Sequence, residues 1–218
     1  MNPKVAIILP VLDAMPHLKE MIKHLYESTS FPFKLIIIDG YSDDGTWEYC
    51  LNLLDRHENI ELYQIPRKGL VNAINFGIKK AGNMDIYLTQ ADVIHFKLYG
   101  KDWLMNMHDN AQKKDIGIVI GINGGGISGP EFLEGQKWAG TWNTYIPKRT
   151  IEKIGLFDEQ FSGGDDIDYS YRIDNAGLKG VMCNFWVQHH QLTDRNLTHK
   201  SDHLKKMGKL FKKKWGIK

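Results

Sequence analysis

Hydrophobic positions along this chain follow two rhythms. Val5 to Leu9 and Leu35 to Ile38 are short, continuous apolar runs rich in β-branched residues. Such runs predict strands covered on both faces of a parallel sheet. Each gives way to helical spacing, with Leu18, Met21, Ile22 and Leu25 after the first and Trp47, Cys50, Leu51 and Leu54 after the second. Pro16 stands where a first helical turn tolerates a missing N–H. A third strand is expected over Ile60 to Ile65. The helix after it carries Leu70, Ala73, Ile74, Gly77, Ile78 and Ala81 on one face, and a fourth strand follows over Met84 to Thr89. Strand and helix alternating in this way predict right-handed βαβ units, hence an α/β fold with a mostly parallel central sheet and helices on both faces. Ligands of such sheets bind beyond the carboxyl ends of the strands.

The second half is less regular. It reads as a helix from Trp103 to Lys113, a strand over Ile116 to Ile122, a glycine-rich loop through Gly129 and a short helix over Lys148 to Ile154. A turn from Gly155 to Gly164, a helix over about Asp166 to Ala176 and a strand over Gly180 to Val187 follow. No repeat or linker divides the chain, so residues 1–198 are expected to form one domain. Residues 199–218 differ, holding eight lysines interleaved with Leu204, Met207, Phe211 and Trp215 at helical spacing. This basic amphipathic helix has two readings: its apolar stripe packs on the domain, or it rests on an anionic membrane.

Composition narrows the class. Of 218 residues, 42% are apolar and 25% charged, and 28 Lys and Arg against 26 Asp and Glu leave a formal charge of +2. That excludes a disordered, collagen-like or disulfide-framework chain. Cys50 and Cys183 lie far apart in apolar stretches, as small hydrophobes would, which fits a reducing compartment. The first apolar run is too short to span a bilayer or to direct secretion. A cytoplasmic location is therefore expected, with peripheral contact on the inner face of a membrane as the alternative reading of the basic helix. The basic residues gather in one tail, which argues against nucleic-acid binding.

Candidate chemistry sits where the strands end. Asp39 closes the second strand and opens Asp39-Gly40-Tyr41-Ser42-Asp43-Asp44-Gly45-Thr46. The segment is either an ordinary βα loop whose Asp44 or Thr46 caps the next helix, or a loop whose carboxylate accepts an N–H from a bound base. Asp92 follows the fourth strand, as a capping residue or as a ligand of a hard divalent cation. Gly163-Gly164-Asp165-Asp166-Ile167-Asp168 opens a helix. Carboxylates there complement the helix dipole, and paired acids behind glycines also suit a general base approached closely by an acceptor. His189-His190 follows the last strand, and one ring could complete a metal shell with Asp92.

Taken together, these blocks resemble the GT-A glycosyltransferases of family 2, enzymes that use nucleotide-activated sugars, and the likeness covers nearly the whole chain. Ile7-Ile8-Leu9-Pro10-Val11-Leu12-Asp13 looks like the family's opening strand and loop, and Ile36-Ile37-Ile38-Asp39 with Ser42, Asp44, Gly45 and Thr46 like its nucleotide-binding loop. Gly69, Asn75 and Gly77 match a third block. Leu156-Phe157-Asp158-Glu159, Gly163 to Asp168 and Arg172 match the block bearing the catalytic carboxylate. The resemblance implies transfer of a sugar from a nucleoside diphosphate, most often UDP, to a saccharide, lipid-linked or other hydroxyl acceptor, with inversion. It implies that Asp39 contacts the base and Asp44 supports the loop, with Pro10, Leu12, Gly69, Asn72, Gln90 and Ala91 completing the donor site. Asp92 would hold Mn²⁺ or Mg²⁺, joined by His189, and Asp166 would be the base, with Asp165 as the alternative. Gln90 stands where the family's metal motif usually begins with an acid, and Asp165 where the pair usually begins with Glu.

Other signals weigh less. Gly124 to Gly129 spells G-x-G-x-x-G, yet Pro130 follows at once and no βαβ unit completes a dinucleotide site, so an acceptor loop or lid is the better functional reading. Trp138, Trp142 and Tyr145 are either core aromatics or a stacking surface for the acceptor sugar. Two rival functions remain: a sugar nucleotidylyltransferase, whose first strand would lead into a glycine-rich basic loop that this chain lacks, and a degenerate, non-catalytic carbohydrate-binding protein.

Overall fold

The computed structural model describes residues 3–97, 100, 102–123, 140–189 and 197–217. The first half is built as the hydrophobic rhythm requires. Strands β1 (Val5–Val11), β2 (Phe33–Asp39), β3 (Ile60–Gln64) and β4 (Asp85–Thr89) lie parallel in the order β3-β2-β1-β4. Helices α1 (His17–Ser28), α2 (Thr46–Leu54) and α3 (Leu70–Ala81) connect them. Successive side chains of β1 point to opposite faces, so the run divides between two cores. Val5, Ile7 and Leu9 meet Leu18, Met21 and Leu25 of α1, while Ala6 and Ile8 meet Val71, Ile74 and Ile78 of α3. All five strand residues have no solvent exposure, and each large one contributes about 1.5–3 kcal/mol by burial.

Gly77 shows how close the second layer comes. A Cβ there would lie 2.6 Å from Ile8 Cγ2 and 3.0 Å from Ile38 Cδ1, so only glycine lets α3 settle against β1 and β2.

Beyond β4 the sheet becomes mixed. β7 (Asn143–Ile146) pairs antiparallel with β4, and β6 (Ile116–Asn123) antiparallel with β7. β8 (Lys179–His189) runs parallel to β6, and β5 (Val93–His95) closes the edge antiparallel to β8. β5 and β7 add two short strands to the sequence reading. α4 (Trp103–Ala111) covers the α1 side, where Trp103 stacks on Phe185 at 4.4 Å between ring centroids. On the α3 side α5 (Lys148–Ile154) is followed by α6 (Asp165–Asn175), with Phe157 stacked on Tyr169 at 4.0 Å. Both cysteines are buried and unpaired, and burial pushes the Cys50 thiol up to about 12. They act as small hydrophobes.

Two readings that the sequence left open are decided. Tyr145 is fully buried, its hydroxyl donating to Asp85 Oδ2 at 2.8 Å at the start of β4, so it belongs to the core rather than to an acceptor surface. The last helix, α7 (Leu197–Trp215), sets its apolar side on the domain: Met207 is buried, and Phe211 and Trp215 meet Tyr171 of α6 at 5.5 and 4.6 Å. Three residues that a membrane-bound helix would offer to lipid are thus turned inward. Among the described residues no helix is long and apolar enough to cross a membrane.

Candidate active site

The carboxyl ends of β1, β2, β3 and β4 share one cleft of about 290 Å³. Pro10, Leu12, Gly69, Gln90, Ala91 and Asp92, which the resemblance assigned to the donor site, line it together with Asp13, His17, Arg67 and Lys68. The cleft therefore brings acidic and basic groups together at the sheet edge where α/β folds seat ligands.

Asp39 takes a more interior position than expected. It has no solvent exposure, and its carboxylate accepts from Tyr41 N at 3.0 Å, Ser42 Oγ at 2.5 Å and Gln64 Nε2 at 2.9 Å. It organises the Gly40–Asp44 loop instead of facing the cleft. Asp44 ties that loop to the one after β1: its Oδ1 accepts from Thr46 N and its Oδ2 from Met15 N. Desolvation is the largest single influence on Asp44 and opposes its ionisation, but the hydrogen bonds from Thr46 and Met15 together outweigh it and hold the carboxyl below the usual range. The outer wall is fixed by Arg67, which donates to Gly40 O at 2.8 Å and Asp43 Oδ2 at 2.9 Å. Asn72 is not in the lining; its amide donates to Glu159 Oε2 at 3.4 Å.

At the end of β4 the Gln90–Asp92 turn rests on buried polar groups. His95 Nε2 lies 3.0 Å from Tyr87 Oη and 3.4 Å from Thr89 Oγ1, while Tyr87 Oη donates to Asn143 Oδ1 at 2.8 Å. Full burial drops the His95 ring to about 3, so it stays neutral and holds the turn without charge. The register pairs Val93 with His189, which places His189 across from the residue after Asp92.

The acidic block lies at the same edge. Gly164, with φ of 77°, occupies the left-handed region that favours glycine and turns the chain into α6. Asp166 is half-buried, and its carboxylate accepts from Ile167 N at 2.9 Å and Gly140 N at 3.2 Å. Gly140 precedes Asn143, Asn143 pairs with Thr89, and Thr89 leads to Asp92. The chain from Gly140 and the β7–β4 pairing thus connect the Asp166 segment to the Asp92 turn, although neither Asp165 nor Asp166 lines the cleft itself: Asp166 lies with Gly140, Thr141 and Thr144 around a separate small pocket. Asp165 is 7% exposed with a partnerless Oδ2, and burial, then Asp166 and Asp168, push its carboxyl up to about 7.

Some expectations fall outside the described residues: the glycine-rich loop at 124–130, Trp138, His190 and the side chain of His189. Trp142 is half-buried and packs against the core. Arg67, Lys68 and His17 escaped the sequence reading. The one available signal was the basic pair placed directly before Gly69 at a strand end.

The family model for glycosyl transferase family 2 matches residues 6–166. The chain belongs to this family. The match runs from β1 to Asp166, so it spans the cleft and ends at the acidic block. Among curated proteins, glycosyltransferase GlyG of Streptococcus pneumoniae is 24% identical over 56% of this chain and 39% of its own length. Succinoglycan biosynthesis protein ExoA of Rhizobium meliloti is 23% identical over 82% of this chain and 60% of its own. The chain thus spans under two thirds of either protein.

Among solved structures, mannosyltransferase PcManGT of Pyrobaculum calidifontis, in complex with GDP-Man and Mn²⁺, superposes with a TM-score of 0.75 at 19% identity, covering 94% of this chain and 62% of that one. GalNAc-T7 with UDP, GalNAc and Mn²⁺ gives 0.70 at 14%, covering 86% and 44%. The fold of this family 2 chain is GT-A.

A divalent cation is the cofactor that this fold implies. Among the described residues no three His, Cys, Asp or Glu converge into a cage. The donor set suits an ion of the Mg²⁺ type, which takes one or two carboxylates from protein and the rest from phosphate and water. Asp92 and Asp13 are the carboxylates in the cleft wall.

Proposed function

We propose that this protein is an inverting glycosyltransferase of the hexosyltransferase type, moving a sugar from a nucleoside diphosphate, UDP in the first instance, to a hydroxyl acceptor. One observation carries the reading: the cleft bearing Asp92 and three basic side chains is tied through Gly140 and the β7–β4 pairing to the carboxylate of Asp166. The Mn²⁺ complexes of PcManGT with GDP-Man and of GalNAc-T7 with UDP support the donor class and the metal. Their acceptors are not transferred to this chain.

In this reading Pro10 and Leu12 wall the base side and the loop held by Asp39 and Asp44 shapes it. Arg67, Lys68 and His17 face the diphosphate. Asp92, with His189 across from Val93, would hold Mn²⁺ or Mg²⁺, which when bound neutralises the charge of the departing diphosphate. Asp166 takes the proton of the acceptor hydroxyl as its oxygen bonds to the anomeric carbon and the bond to the diphosphate breaks. A single displacement inverts that carbon. Asp166 is chosen over Asp165 because it is the more exposed of the two, whereas Asp165 Oδ2 is sealed in the interior. A positioned base of this kind contributes about 10²–10⁴-fold.

The test is incubation of the full chain with a panel of nucleotide sugars and Mn²⁺, followed by release of nucleoside diphosphate with and without acceptors. Transfer or slow donor hydrolysis is expected. Pyrophosphate-dependent exchange would make the protein a nucleotidylyltransferase, and inertness towards every donor would make it a binding protein.

A further inference from the structure

Helix α7 lies past the segment that the family matches, yet it grips the stretch bearing Asp165 and Asp166. Lys214 Nζ stands 2.7 Å from Asp158 Oδ2 and 2.7 Å from Asp168 Oδ1. Trp215 Nε1 donates to the same Asp168 oxygen at 3.0 Å. Asp158 begins the turn that leads into α6, and Asp168 sits in the first turn of α6 with no solvent exposure. One ammonium therefore joins both ends of the segment that displays the acidic pair. Further contacts run alongside: Ser162 N donates to Met207 Sδ at 3.5 Å, and Ser162 O lies 2.9 Å from His203 Nε2.

Charge explains why this ammonium matters more than the rest of the contact. Asp158, Asp165, Asp166 and Asp168 crowd one short stretch. Two cations answer them. Arg172 Nε lies 3.1 Å from Asp168 Oδ2 without hydrogen-bond alignment, and its Nη1 is committed to the carbonyls of Ile154 and Leu156. Without Lys214, Asp158 loses its ion-pair partner, and Asp168 keeps the Trp215 hydrogen bond but only that misaligned cationic contact. Repulsion between neighbouring carboxylates would then loosen the turn from the helix.

We propose that Lys214 is a positioning residue: shared by Asp158 and Asp168, it clamps the turn before α6 onto that helix and so fixes where Asp166 faces. The consequence for catalysis rests on the role given to Asp166 above; the clamp does not.

The test compares the wild-type full chain with Lys214→Met, Lys214→Arg and Asp158→Asn by hydrogen–deuterium exchange and by steady-state transfer. Lys214→Met is expected to speed exchange across residues 158–172 by about tenfold or more while β1 to β4 stay as in wild type. Lys214→Arg should restore protection, and Asp158→Asn should loosen the turn alone, which keeps the test decisive if Lys214→Met does not fold. Turnover in Lys214→Met should fall with donor KM unchanged, and Lys214→Arg should recover it. Unchanged exchange over 158–172, or loosening spread equally through the sheet, would overturn the clamp. A wild-type chain inert to all donors would refute the functional reading, and the exchange data would still decide the clamp.

Discussion

Asn75 and Phe157 hold each other through two reciprocal hydrogen bonds, with Asn75 Nδ2 donating to Phe157 O at 2.9 Å and Phe157 N donating to Asn75 Oδ1 at 3.0 Å. The pair is buried, and Asn75 Nδ2 also reaches Glu159 Oε1 at 3.1 Å. It joins α3, which walls the cleft, to the turn leading into the acidic block. Asn75→Ala would leave a buried N–H and a buried C=O unpaired, at a cost of about 2–4 kcal/mol. Asn75→Asp keeps the acceptor for Phe157 N but sets a buried carboxylate against the Phe157 carbonyl and Glu159 Oε1, and should cost at least as much. Urea unfolding of both variants checks the order; equal stability of Asn75→Ala and wild type would contradict it.

Asp165 supplies a pH dependence. Its folded carboxyl, raised to about 7 by burial and then by Asp166 and Asp168, binds a proton that the unfolded chain releases near 4. The folded state therefore binds more protons across that window, and wild-type stability falls as pH rises from about 4 to about 7. Asp165→Asn removes the penalty. The variant should match wild type at pH 4 and exceed it at pH 8 by as much as about 4 kcal/mol. Thermal unfolding at the two pH values reads the difference, and a constant gap at both would show that Asp165 does not titrate this way.

The legible parts of this protein are those whose partners lie close in sequence. β1, β2 and α3 announced themselves because a continuous apolar run or a helical stripe is a local pattern, and Asp39, Asp92 and Asp166 stood out because each follows a strand or opens a helix. β5 and β7 were illegible: at three and four residues they are too short to carry a rhythm, and pairing with β8, β4 and β6 makes them strands. Arg67, His95 and Lys214 were missed for the same reason. Their roles come from partners such as Gly40, Tyr87 and Asp168 that the fold brings near. Asp39 was found by its position but given a cleft-facing task, because sequence does not reveal that Gln64 and Ser42 occupy its oxygens.

Arg67 tethers the Gly40–Asp44 loop from an exposed position, its side chain 45% accessible. Solvent screening makes such a contact worth little to stability, so Arg67→Ala should lower it by less than about 1 kcal/mol. Calorimetric titration with nucleoside diphosphate should nonetheless show affinity falling roughly tenfold, since one good charged contact is worth about 1.4 kcal/mol or more. Wild-type affinity in a normally folded variant would remove Arg67 from the donor site.

Asp92→Ala should abolish the response of donor binding to metal. Wild-type affinity for the nucleotide sugar is expected to rise when Mn²⁺ is added, and the variant to bind weakly with or without it, because the diphosphate charge is left unneutralised. Titrations in Mn²⁺ and in chelator decide the matter; a variant that keeps the metal response places the ion elsewhere.

The most direct trial of the central claim, that the cleft holds the donor while Asp166 acts on the acceptor across it, is the turnover of Asp166→Asn measured beside its donor affinity. The account predicts turnover lower by about 10²–10⁴-fold with donor affinity within about twofold of wild type. Transfer at the wild-type rate, or loss of donor binding in place of loss of rate, would contradict it.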